Sequence, residues 1–254
     1  MDKVGIYNFW AEPFHCDFSK RLFMGHLGNH MLNAADFHSS DRGFGMKYLL
    51  TIQRSWVLSR LAIEMDEMPE MYTKFNVETW GESAMRYFTS RNFRVVGEDG
   101  KVFGYGRSIW AMIDTESRQP TDLFAIDNGA INNWIVKDKE CPIDKGGRVK
   151  MPDSAEFVRT IETQYNDVDI NGHINSVKYI EHVLDLWDIA WYHEHQIKRF
   201  DEAESVARVA HRPQTRRRWK GGPPMNKRSL ITRILPMLPM LALLLAVAGC
   251  ERRP

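Results

Sequence analysis

Between Tyr165 and Ile180 the chain reads Tyr-Asn-Asp-Val-Asp-Ile-Asn-Gly-His-Ile-Asn-Ser-Val-Lys-Tyr-Ile. A carboxylate, an amide and an imidazole stand at alternate positions in it: Asp169, Asn171 and His173. In an extended loop such alternation puts the three side chains on one side. Gly172 permits a sharp bend or the close approach of a ligand to the backbone. Asn175 is placed to cap a helix that starts at Ser176. The N–H groups of a helix entry also favour a developing oxyanion. Hydrolysis of an activated acyl group needs these parts: something to activate water, and donors for the oxygen of the tetrahedral intermediate. Ordinary helix-start chemistry draws on the same residues, and Asp169 and Asn171 would then do no more than satisfy a turn.

The flanking sequence supplies elements that could hold such a loop. Glu156 to Tyr165 reads as a strand, and after the loop Val177, Ile180, Val183, Leu184 and Trp187 fall on one helical face. The same theme stands earlier. Tyr7 to Phe18 reads as an edge strand, and Leu27, Met31, Leu32, Ala34, Ala35 and Phe37 follow at helical spacing. Ser39 to Gly45 stops that helix with turn-formers and glycines. Strand-like stretches come next at 56–65, 75–80, 87–96 and 102–113, with Glu98-Asp99-Gly100-Lys101 as a hairpin turn. One apolar helix plus an antiparallel meander predicts an α+β unit in which a sheet wraps a helix. Two such units in tandem are expected: 1–135, a polar linker over 136–154 with a short helix just before it, and 155–204. The second unit is expected to be incomplete, because no alternating apolar strands are legible after Phe200.

Composition excludes several classes. The fractions are those of a globular chain, and a formal net charge of +1 exerts no global pull towards nucleic acid or membrane. Cys16, Cys141 and Cys250 are too scattered for a disulfide framework or a zinc site, which fits a reducing cytoplasm. His15, His26, His30 and His38 show no metal-binding pattern, and Met65, Met68 and Met71 read as packing. No secretory signal is expected at the start.

The region 205–254 has a different character. Arginine and polar residues dominate 211–220. Met225 then opens a basic stretch, an apolar run over 234–247 and Val247-Ala248-Gly249-Cys250, which resembles a lipoprotein signal with its lipidation box. The apolar run is short for a spanning helix and holds Pro236 and Pro239. The reading is a frame shift near 201–210 that carries translation into the start of a neighbouring gene; a membrane anchor through 234–247 is the alternative. On the first reading, a single-base change in the DNA encoding residues 200–225 restores strand-like sequence.

Asp-Val-Asp-Ile-Asn-Gly-His-Ile-Asn-Ser-Val-Lys-Tyr-Ile resembles the second-domain motif of acyl-ACP thioesterases, tandem hot-dog enzymes in which each half wraps a curved antiparallel sheet round a long helix. The first half is similar to bacterial members at Gly28-Asn29-His30, Asp41 to Gly45, Trp56 to Arg60 and Ser108 to Met112. The resemblance covers residues 3 to 200. It implies hydrolysis of fatty acyl-ACP to free fatty acid, with an acyl-CoA thioesterase or a non-catalytic acyl-binding remnant as the alternatives. It implies an acyl carrier protein as partner, no cofactor and no metal, and an acyl pocket lined by first-half residues. Pairing of two chains is a further expectation. Asp169, Asn171 and His173 correspond to the catalytic positions: Asn171 donating to the thioester carbonyl, His173 positioning or deprotonating water, Asp169 orienting its neighbours. The family also places an acidic or thiol residue on a later strand, for which Glu204 is a candidate remnant. Lys178, Lys198 and Arg199 are candidates for docking an acidic carrier, or else a solvated face.

Overall fold

A computed structural model describes residues 2–145, 156–170, 172–203, 206–213, 230–234 and 243–247, and for 156–159 and from 203 onward it describes the backbone alone. The chain divides into two compact units, Met1–Gly146 and Gly147–Pro254.

In the first unit the predicted apolar stripe forms α1 (Met24–Ser40), with Leu27, Met31 and Ala34 fully buried. Phe37, assigned by spacing to the same stripe, is exposed. It lies six residues beyond Met31, about 240° round the helix at 3.6 residues per turn, and its ring meets Tyr7 instead. His30 and His38 take the buried positions. The turn after α1 leads into a short helix that the spacing did not announce, α2 (Met46–Thr51).

Around α1 runs the expected sheet. β1 (Gly5–Trp10) pairs with β3 (Lys74–Ala84), and β3 continues through β4 (Phe88–Gly97) and β5 (Val102–Asp114) to β2 (Arg54–Met65), all antiparallel. Strict alternation on β3 buries Phe75, Val77 and Thr79. Gly100 turns the β4–β5 hairpin at φ +83°, a conformation that favours glycine. α1 packs on β1 and β3 and comes so close to β5 that a side chain at Gly106 would meet Met31 Sδ at 3.0 Å.

The opposite side of β3 presents Trp80, and there the expected linker behaves otherwise than predicted. Val136, Cys141 and Ile143 are buried in a cluster with Trp80 and Ala62. Arg107 binds the carbonyls of Ile143 (2.9 Å) and Cys141 (2.7 Å), and Trp80 Nε1 donates to Lys139 O. The polar composition of 136–145 concealed this because three apolar residues and backbone carbonyls do the anchoring. Trp80→Ala should therefore release the segment as well as hollow the sheet. A loss of about 3–5 kcal/mol is expected in chemical denaturation, with faster proteolysis around residues 139–145.

In the second unit β6 (Glu156–Ile161) precedes a 3-10 turn, Tyr165–Asp167. α3 (Ser176–Leu184) buries Val177, Ile180 and Val183, as its spacing predicts, but ends before Trp187. Asp188 caps a separate helix, α4 (Ile189–Glu194), by accepting from Trp191 N at 2.8 Å. Trp187 instead stacks on Trp191, and Trp191 on His195.

The expectation of no strands after Phe200 is corrected. β7 (His195–Ala203) and β8 (Val206–Pro213) form an antiparallel pair. β7 was illegible because a register shift between Ile197 and Arg199 breaks its period, so the buried positions are Ile197, Phe200 and Glu202, one of them a carboxylate. Within the tail, β9 (Leu230–Ile234) and β10 (Leu243–Val247) pair antiparallel, and β6 pairs with β9 in parallel. The rest of the signal-like segment, Met225 and Cys250 included, lies outside the described residues. No helix among the described residues is long and apolar enough to cross a membrane.

Candidate active site

The loop from Val168 to Ile174 is a tight turn, not the extended ribbon that alternation implied. Val168 and Ile174 form an antiparallel bridge. Asp169 N donates to His173 O (2.8 Å) and Gly172 N to Asp169 O (3.0 Å). Gly172 takes φ +72°, and a side chain there would meet nothing within 4 Å, so the backbone conformation and not space selects glycine. The Asp169 carboxylate accepts from His173 N at 3.2 Å, which orients the neighbouring residue by its backbone. Asp169 is half-buried and His173 exposed. Asn171 lies outside the described residues. Asn175 caps α3 as expected, its side chain accepting from Val177 N at 3.0 Å.

Asp167, which spacing did not single out, ties the loop down. It is buried; Oδ2 accepts from Gln164 N (2.7 Å), its carbonyl accepts from Asn175 N (2.8 Å), and Oδ1 lies 3.2 Å from His182 Nε2 on α3. One residue thus fixes where the loop enters, where it leaves and which helix it leans on. Its signal was present in the sequence only as one more Asp among turn-formers. Asp167→Ala leaves His182 and Gln164 N without this acceptor, and about 2–3 kcal/mol of stability should be lost in urea denaturation. Asp167→Asn should lose clearly less.

Burial supplies a second group that the reading missed. Glu202 on β7 is buried, its Oε2 has no hydrogen-bond partner among the described residues, and desolvation pushes its carboxyl up to about 8. Tyr179 on α3 is pushed up to about 12, first by burial and then by the charges of Glu202 and Asp169. Carboxylates from the loop and from β7 therefore converge electrostatically on one phenol. Glu204, the candidate remnant of the family's later acidic position, lies outside the described residues. Two of the basic docking candidates are engaged within the chain: Lys178 with Glu181 at 2.6 Å, and Arg199 with both carboxylate oxygens of Asp201 at 2.8 Å.

Residues 8–125 match the acyl-ACP thioesterase N-terminal domain family, and residues 150–202 match the acyl-ACP thioesterase C-terminal domain family. The crystal structure of an acyl-ACP thioesterase from Bacteroides thetaiotaomicron is 51% identical, covers 81% of this chain and 82% of that one, and superposes with a TM-score of 0.73. The chain belongs to the acyl-ACP thioesterase family. The two units are accordingly hot-dog domains in tandem, the second incomplete, its family match ending at residue 202. The 12:0-ACP thioesterase of Umbellularia californica, 20% identical with a TM-score of 0.69 and covering 82% of this chain and 84% of that one, shares the fold. Among curated relatives, a chloroplastic dodecanoyl-[acyl-carrier-protein] hydrolase from Cinnamomum camphora is 26% identical over 68% of this chain and 48% of its own length. A chloroplastic palmitoyl-acyl carrier protein thioesterase from Gossypium hirsutum is 26% identical over 56% of this chain and 35% of its own length. The chain thus spans about a third to a half of these curated relatives.

Proposed function

We propose that this chain hydrolyses fatty acyl-ACP thioesters to free fatty acid and carrier thiol. The observation that carries the reading is the Asp169-x-Asn171-x-His173 loop, pinned by Asp167 to the entry of α3, inside a chain of this family. In the proposed reaction Asn171 donates to the thioester carbonyl, and the bond gains strength as that oxygen becomes an oxyanion. His173, at the exposed rim, positions the water. Asp169 keeps His173 in place through its backbone N–H. Glu202, in its ionised form, takes the proton that water releases on attacking the carbonyl carbon and returns it to sulfur as the C–S bond breaks.

Parallel assays with one fatty acyl group on ACP and on CoA test the reading. The proposal expects release of free fatty acid with a higher kcat/KM for the ACP ester. Preference for CoA would assign the chain to acyl-CoA hydrolysis instead.

A second reading has support of its own. The C-terminal family match stops at residue 202, and β6 pairs in parallel with a tail strand while the first unit's sheet is antiparallel throughout. On this reading the chain binds acyl groups without turnover, and limited proteolysis would trim it to a stable fragment ending near Gly146.

A further inference from the structure

The first unit gathers a second set of chemistry-bearing side chains. Glu12 precedes a 3-10 turn, Pro13–His15, whose three-residue repeat places Glu12 and His15 on one side. His15 Nδ1 stands 3.1 Å from Glu12 Oε2. From α1, His30 points its Nε2 at the same carboxylate oxygen, 3.9 Å away. One ligand atom from each residue lies within 4.8 Å of the others. His15 is held flat against His26, ring centroids 4.1 Å apart, and His30 packs on Phe9 at 4.5 Å.

The His30 side chain is only 10% exposed, and among the described residues its Nε2 has no hydrogen-bond partner; at 3.9 Å from Glu12 it is too far for one. A buried imidazole nitrogen aimed at a carboxylate across a gap fits an interposed ion. Two donors on one tetrahedral ion, each about 2.0–2.2 Å from it, stand about 3.3–3.6 Å apart. The observed 3.1 and 3.9 Å bracket that separation, and Glu12, 45% exposed, is free to adjust.

We infer that Glu12, His15 and His30 form a site for a divalent transition-metal ion, zinc being the type that two imidazoles and one carboxylate suit. The donor set leaves a coordination position for water on the exposed side of Glu12 and His15. The ion would clasp the segment after β1 to the central helix α1. The sequence pattern missed the site because its third ligand comes from another element, fifteen residues beyond the second.

The test uses the full chain, stripped with a chelator and titrated with cobalt(II), then zinc. The expected result is one saturable cobalt site with visible absorption that zinc bleaches, and a rise in melting temperature with zinc. Glu12→Gln and His15→Ala, at 45% and 40% exposed side chains, should keep the metal-free melting temperature. Each should weaken binding beyond the roughly 10- to 100-fold cost of losing an outer-shell partner. His193→Ala, on α4, should bind as the parent does. No saturable binding, or binding that both substitutions leave unchanged, overturns the inference.

Discussion

Asn171→Ala should lower kcat for acyl-ACP hydrolysis by about 100- to 1,000-fold, the usual cost of removing one oxyanion donor. KM should change little. In the proposed mechanism the amide's hydrogen bond to the ground-state carbonyl is worth little net against water, and its gain comes as negative charge develops on that oxygen. Stability should be nearly unaffected, because the turn is closed by other bonds: Asp169 N to His173 O, Gly172 N to Asp169 O, and the Asp167 clamp. A turn-only role gives the reverse pattern, a small stability loss with kcat unchanged. Steady-state kinetics and a melting curve on the same preparation separate the two.

Glu202→Gln should make the protein more stable and less active. Burial holds this carboxyl at about 8, against 4.5 for an ordinary glutamate. Between those values the folded protein keeps a proton that the unfolded chain has released. Stability from this group is therefore complete below about pH 4.5, falls as pH rises, and is lost once pH passes about 8. Glutamine is close to protonated glutamate in shape and burial cost and does not titrate, so it removes the slope. The gain at pH 8 should be on the order of 4 kcal/mol. Hydrolysis should fall by about 100-fold or more, since an amide cannot carry the proton from water to sulfur. Denaturation at pH 5 and pH 8 checks the first part and kcat the second. A variant that is less stable at pH 8, or one that keeps full activity, would contradict the roles given to Glu202.

What the sequence made legible and what it hid differ by kind of interaction. The α1 stripe, the β3 alternation and the Gly100 hairpin could be read because each is a local pattern with a fixed period. Asn175 announced its cap for the same reason. β7 was hidden by its register shift and by Glu202 at an inward position. Segment 136–145 was hidden because its anchors are Arg107, Glu82 and Trp80, each more than twenty residues away along the chain. At the site, residue types pointed to Asp169 and His173, but not to the tight turn that Gly172 imposes. Spacing could not link Glu202 and Asp169 to Tyr179, because the charges that raise this phenol come from a strand and a loop separated along the chain.

The central claim is turnover by this chain, and the most direct measurement is incubation of the full-length protein with a long-chain acyl-ACP in heavy-oxygen water. Many turnovers per chain are expected, with free fatty acid carrying one heavy oxygen from solvent, and loss of that product in Asn171→Ala. Intact acyl-ACP, or an acyl group retained on the chain in stoichiometric amount without release, would contradict it.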